Sequence, residues 1–189
     1  MTWMAATLWD LIAPGNGSRR QMRRERPAPP PCAVAPAVAN HPNGLASSLP
    51  TGARVTMQDR YDALVEEMKS KHGVRVRKWR KSSSGVAWMI RYRDGGEVKL
   101  IESPYPRGPM SCAIFLHEVG HHAIGLGIHR PRCLEEYHVW EWALRAMRER
   151  GLNVTPAVEK RMHDSLEYAV RKAKRRGLRA LPAELKRYT

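Results

Sequence analysis

From Gln58 to Lys71 the apolar side chains Tyr61, Leu64, Val65 and Met68 recur at helical spacing, and Gly73 follows, so the pattern predicts an amphipathic helix with a glycine stop. Beyond Gly73 the period drops to two. Val74 to Trp79, Gly85 to Tyr92 and Glu97 to Glu102 are predicted as three strands, joined by Ser82-Ser83-Ser84-Gly85 and by Asp94-Gly95-Gly96, the latter a hairpin pattern. Helical spacing returns at Met110, where Ala113, Leu116, Val119, Gly120 and Ala123 share one side. Gly125 and Gly127 suit the end of that helix and Pro131 opposes its continuation. The next run, Leu134 to Arg150, turns Tyr137, Trp140, Ala143, Leu144 and Met147 inward, which predicts an αα-hairpin. Thr155-Pro156 has the form of an N-cap and first helical residue, and Val158, Met162, Leu166, Ala169, Val170 and Ala173 make an apolar stripe before Gly177. Arg179 to Thr189 reads as a short terminal appendage. The expected class is α+β: an N-terminal helix, a small three-stranded antiparallel sheet, two consecutive helices and a C-terminal helix over about 157–177.

At 189 residues one folded domain is expected, over 57–189. Residues 1–56 are expected to be a disordered leader. They combine an arginine cluster, Arg19 to Arg26, with a Pro/Ala-rich run from Pro27, and are poor in large apolar side chains. The opening Met1 to Ile12 has no basic region before it, contains Asp10 and is too short to span a bilayer, so neither secretion nor membrane insertion is expected. Met57, at the start of the patterned region, is an alternative initiator.

The chemistry concentrates in His117-Glu118-Val119-Gly120-His121. On a helix, residues four apart project from one face about a turn apart, so both imidazoles reach a single ion, while Glu118 flanks that face and is free to exchange protons. This pattern points to a zinc centre with Glu118 as general base and then general acid toward a zinc-activated water. A third ligand is required from the following helix. On its wheel Glu136 falls within the inward arc, whereas Glu135 and Glu141 lie toward the polar flank. A buried carboxylate is costly unless a cation offsets it, which favours Glu136, with Glu135, Glu141, His129 and His138 as alternatives. The metzincin pattern does not fit, because Ile124 and Gly127 stand where it requires Gly and His. His122 lies farther round the helix and is expected at the surface or behind the ligands.

These residues resemble the ImmA/IrrE-like group of small zincin metallopeptidases, which carry H-E-x-G-H on one helix and a glutamate ligand on the next. The resemblance covers roughly residues 57 to 150. It implies a minimal zincin fold with Zn2+ held by His117, His121 and Glu136, Glu118 as catalytic base, and a protein or peptide substrate such as a repressor of a phage or other mobile element. It departs from the group in a short interval from His121 to Glu136 and in Trp140-Glu141-Trp142-Ala143. Zincins commonly offer an edge strand to an extended substrate, and Val98 to Ser103 is the candidate counterpart, with Lys99 and Glu102 protecting the edge as the plainer interpretation. SprT-like DNA-associated proteases are an alternative resemblance with a histidine third ligand, and a non-catalytic zinc-binding protein on the same scaffold is another. Tyr137 or His138 is a candidate oxyanion partner.

Charge and cysteines adjust this picture only slightly. The formal net charge is +15, and the densest basic run in the domain is Arg171 to Arg176, which suits either phosphate contact or a solvated helix end; the second is favoured, and nucleic acid is not the expected partner. Of Trp79, Trp88, Trp140 and Trp142, three sit in apolar patterns and are expected in the core. Cys32, Cys112 and Cys133 lack a C-x-x-C spacing, so neither a disulfide framework nor a structural zinc knuckle is indicated, and a reducing cytoplasm is the expected setting.

Overall fold

The first helix, α1 (Met57–His72), begins at Thr56, whose Oγ1 accepts the Asp59 amide at 3.1 Å while Asp59 Oδ2 accepts the Thr56 amide at 2.7 Å. This reciprocal capping box satisfies two donors that the first turn leaves open. The helix stops where Gly73 turns left-handed at φ 62°, and Tyr61, Leu64, Val65 and Met68 are buried as the spacing predicts. The structure is a computed structural model that describes residues 54–189, so the expected leader lies outside the described residues except for Arg54, Val55 and Thr56.

Three strands follow, β1 (Val74–Arg80), β2 (Val86–Arg91) and β3 (Glu97–Pro104), in the order β1-β3-β2. The Asp94-Gly95-Gly96 turn closes the β2–β3 hairpin, with Gly95 at φ 87° and the Tyr92 amide donating to the Gly96 carbonyl at 2.8 Å. β1, however, pairs parallel to β3, from Val74 opposite Lys99 to Arg80 opposite Pro104. The sheet is therefore mixed, which corrects the antiparallel expectation. Alternation reveals which face a strand buries but carries no information on neighbour order or direction.

The same topology overturns the expectation that Val98 to Ser103 forms an edge. β3 is the central strand, hydrogen-bonded on both sides, and Ile101, Glu102, Ser103 and Pro104 are buried. Glu102 does not guard an edge. Arg80 Nε at 3.0 Å and Arg77 Nη1 at 3.3 Å, both from β1, pair with it, while Lys99 Nζ donates to the His72 carbonyl at 3.3 Å.

The helix α2 (Pro109–Ala123) lies against the sheet with every residue from Cys112 to His122 buried, so it is enclosed on all sides and is not a surface helix with one dry stripe. After a loop with Gly125 at φ 92° and Gly127 at φ 77°, α3 (Arg132–Glu149) returns alongside it, giving the expected hairpin. α4 (Pro156–Arg175) starts at Thr155, whose Oγ1 accepts the Val158 amide at 3.4 Å, and buries Val158, Met162, Leu166, Ala169 and Val170. The chain ends in a 3₁₀ helix, Ala183–Tyr188, that buries Leu185 and Tyr188. The terminal segment thus belongs to the core, correcting the expectation of an appendage; two apolar residues three apart were too short a pattern to declare it. Among the described residues no helix is long and apolar enough to cross a membrane.

Gly120 sets the spacing of the helical hairpin. A Cβ there would stand 3.1 Å from Val139 Cγ1 and 3.1 Å from Trp142 Cε3, with the Val139 carbonyl oxygen at 3.4 Å. Glycine lets α2 and α3 approach closely just beside His117 and His121. Replacing Gly120 by Val is expected to cost about 1–3 kcal/mol through overpacking, read as a lowered urea midpoint. An unchanged midpoint would show that the two helices are not tightly apposed there.

Candidate metal centre

Two elements bring the ligands together. α2 supplies His117 and His121 from one face, their ring centroids 5.0 Å apart and nearly perpendicular, and α3 supplies Glu136 from its second turn. Glu136 Oε2 lies 3.3 Å from His117 Nε2 and 3.7 Å from His121 Nε2. The potential donor atoms of these three buried residues all fall within 4.8 Å of one another. Neither Nε2 atom has a hydrogen-bond partner, although both are buried. Two imidazole nitrogens and one carboxylate oxygen converging without satisfying one another fit a divalent metal ion, and the trio could hold one.

The electrostatics prepare the same atoms. Burial keeps His117 neutral, pushing its pKa down to about 4 against the opposing pull of Glu136. Burial would raise the Glu136 carboxyl, but His121, His117 and Arg132 together hold it well below the usual carboxylate range. Arg132, one helical turn earlier, places Nε 3.0 Å from Glu136 Oε1, leaving Oε2 to face the imidazoles. At neutral pH the site offers a deprotonated ring at His117 and an ionised carboxylate, as metal binding requires.

Behind the ligands stands a residue that the helical wheel misplaced. Glu135 is fully buried, not on a polar flank. Its Oε1 is 3.1 Å from His121 Nδ1, its Oε2 accepts the Gly127 amide at 2.8 Å, and Arg132 Nη1 lies 3.2 Å from Oε1. The Nδ1 hydrogen is assigned from this carboxylate partner, which leaves Nε2 as the lone-pair nitrogen. Glu135 therefore orients His121 and stands outside the trio that could hold an ion. The wheel failed because the α2–α3 loop folds over the side of α3 that sequence alone leaves to solvent.

The other expected candidates are dispersed. His129 and His138 lie against each other with ring centroids 4.3 Å apart and planes tilted by 42°, Tyr137 packs near His138 and Tyr188, and Glu141 is part-exposed, 3.9 Å from Arg187. His122 is buried, contrary to a surface placement, with Nε2 3.1 Å from the Leu100 carbonyl, so it ties α2 to β3; burial pushes its pKa down to about 4. His117 gains its orientation from the ring of Trp140, 4.6 Å away.

The Glu118 side chain lies against Gly85, at the start of β2. Gly85 lies so close to it that any Cβ at this position would collide with the Glu118 carboxylate. No local pattern marks Gly85, since its role depends on a contact 33 positions away in the chain. Comparison of the chain with protein-family models, with curated proteins and with solved structures returned no match.

Two outcomes are expected. Metal analysis should find one equivalent in the native chain, loss of it in Glu136→Ala, and retention with roughly 10–100-fold weaker affinity in Glu135→Gln; equal loss in both variants would make Glu135 a ligand. The second concerns acid. Unfolded histidines take up protons near 6.5, whereas folded His117 and His122 resist until about 4, so the unfolded chain binds more protons in that window. Stability of the metal-free protein should be intact above 6.5 and fall by a few kcal/mol, in order of magnitude, as pH drops to 4. Urea titrations across this range check it, and a flat midpoint would contradict it.

Proposed function

We propose that the chain is a zinc metallopeptidase that hydrolyses peptide bonds in a protein substrate. The observation that carries this reading is the pairing of a buried two-histidine, one-glutamate trio with a second buried carboxylate, Glu118, adjacent to it in α2. A zinc ion bound by His117, His121 and Glu136 would supply Lewis acidity toward the scissile carbonyl and lower the pKa of a water in its open position.

The chain's own groups do the rest. Glu118, in a water-poor environment beside Gly85, takes a proton from the attacking water and later delivers one to the leaving amine. Gly85 leaves room for that carboxylate. It also immediately precedes β2, which is an edge of the sheet, with Trp88, Met89 and Ile90 half-buried along it. An extended substrate can add to β2 through backbone hydrogen bonds, placing its scissile bond near Glu118. β2 thereby takes the role that the sequence suggested for Val98 to Ser103.

The order of His117 and His121 on one helix and Glu136 on the next supports the resemblance to the ImmA/IrrE-like group over the SprT-like one, which uses a histidine as third ligand. A protein such as a repressor is accordingly the proposed substrate class. Cys112 and Cys133 are free and buried, which supports a reducing, cytoplasmic setting.

The test compares zinc-loaded native chain, Glu118→Gln and Gly85→Ala on a proteome-derived peptide library. Glu118→Gln should keep its zinc and lose at least about 100-fold in cleavage rate. Gly85→Ala should keep zinc and lose rate through displacement of Glu118. Full activity in Glu118→Gln would remove the assigned base, and no cleavage by the native zinc-loaded chain would remove the peptidase.

A further inference from the structure

A cavity of about 470 Å³ opens between the first turn of α3 and the end of α4, and Glu136 forms part of its wall. The cavity therefore adjoins the metal centre. Three cationic side chains line it: Arg132 from α3, and Lys172 and Arg176 one turn apart at the end of α4. The remaining wall is largely apolar, with Ala173 and Leu178 among its members. Arg132 is committed to Glu135 and Glu136. Lys172 and Arg176 form no ion pair among the described residues, although carboxylates pair with many of the other exposed cations on the helices.

This distribution leaves an excess of positive charge, three cations against the Glu136 carboxylate, in a concave, partly apolar space beside the proposed reaction centre. A bound divalent ion would increase that excess, because Glu136 would then be spent on the metal. Burial, followed by repulsion from Arg176, lowers the Lys172 pKa, and attraction to Glu136 only partly opposes the shift. A cavity of this volume suits a side chain together with neighbouring substrate atoms. A continuous nucleic-acid backbone asks instead for an open groove lined along its length.

We infer that this cavity is a substrate subsite that takes a side-chain carboxylate, from an Asp or Glu near the scissile bond, with Lys172 and Arg176 as its specificity-determining residues. The inference rests on the peptidase reading for its meaning, but the binding does not require catalysis. Lys172 and Arg176 form no hydrogen bond or ion pair with His117, His121 or Glu136, so replacing both by Gln should leave metal stoichiometry unchanged, which also serves as the check on folding.

The first arm is binding to the metal-free protein, so that a carboxylate cannot report by coordinating zinc. In an amide-resolved NMR titration, N-acetyl-L-glutamate α-methylamide, whose only carboxylate is on the side chain, should shift resonances of Ala169, Ala173 and Leu178, and the uncharged N-acetyl-L-glutamine α-methylamide should not. The shifts should vanish in the Lys172→Gln/Arg176→Gln chain. Equal response to the two probes, shifts located elsewhere, or shifts that survive in the double variant would overturn the subsite. The second arm uses the zinc-loaded chain on matched peptides with Glu or Gln at each position around the cleavage point. One position should show a preference for Glu of about tenfold or more, lost in the double variant. Cleavage without such a preference overturns the subsite and leaves the peptidase standing. Glutamate-specific binding without cleavage of any peptide supports the subsite and overturns the peptidase.

Discussion

A carboxylate removed from water beside two imidazoles that are equally removed from it is the constraint around which this domain is organised. Glu136 is buried, and so are the His117 and His121 nitrogens nearest to it. A lone charge in such a place costs several kcal/mol, and Arg132 neutralises only one of the two oxygens. The remaining oxygen faces ring nitrogens with no other partner, which is an unfavourable arrangement for a core unless a cation completes it. A metal bound here would couple its affinity to folding through one carboxylate.

Much of the surrounding architecture serves to bring that carboxylate within reach. Gly120 permits the close crossing of α2 and α3, and the glycine-containing loop after α2 brings the Gly127 amide to Glu135, which in turn holds His121. His122 anchors the opposite flank of α2 to the central strand through Leu100. Gly85 at the start of the edge strand leaves space for Glu118. Four of these five positions carry little or no charge, yet each sets where a charged or ligating group sits.

What the chain reveals unaided follows from periodicity and range. The helices α1 to α4, the β2–β3 turn and the His117-Glu118-His121 face are readable because a residue's partners lie within a turn or a hairpin of it. Glu136 was readable for a different reason, since burial of a carboxylate demands compensation. The parallel pairing of β1 with β3, the burial of Glu135 and His122, and the docking of Leu185 and Tyr188 were not. Each depends on which distant segment covers a given face, and a helical wheel or an alternating strand reports only that one face differs from the other. Glu135 and Glu136 illustrate this well: adjacent in sequence, one holds His121 from behind and the other completes the trio that could hold an ion.

The central claim, that these three side chains form a genuine inner coordination sphere, is tested most directly by zinc K-edge X-ray absorption on the purified, zinc-loaded chain. The account predicts four light-atom neighbours at about 2.0–2.2 Å with the multiple scattering of two imidazoles and no sulfur shell. A sulfur contribution near 2.3 Å, or an all-oxygen shell without imidazole scattering, would contradict it.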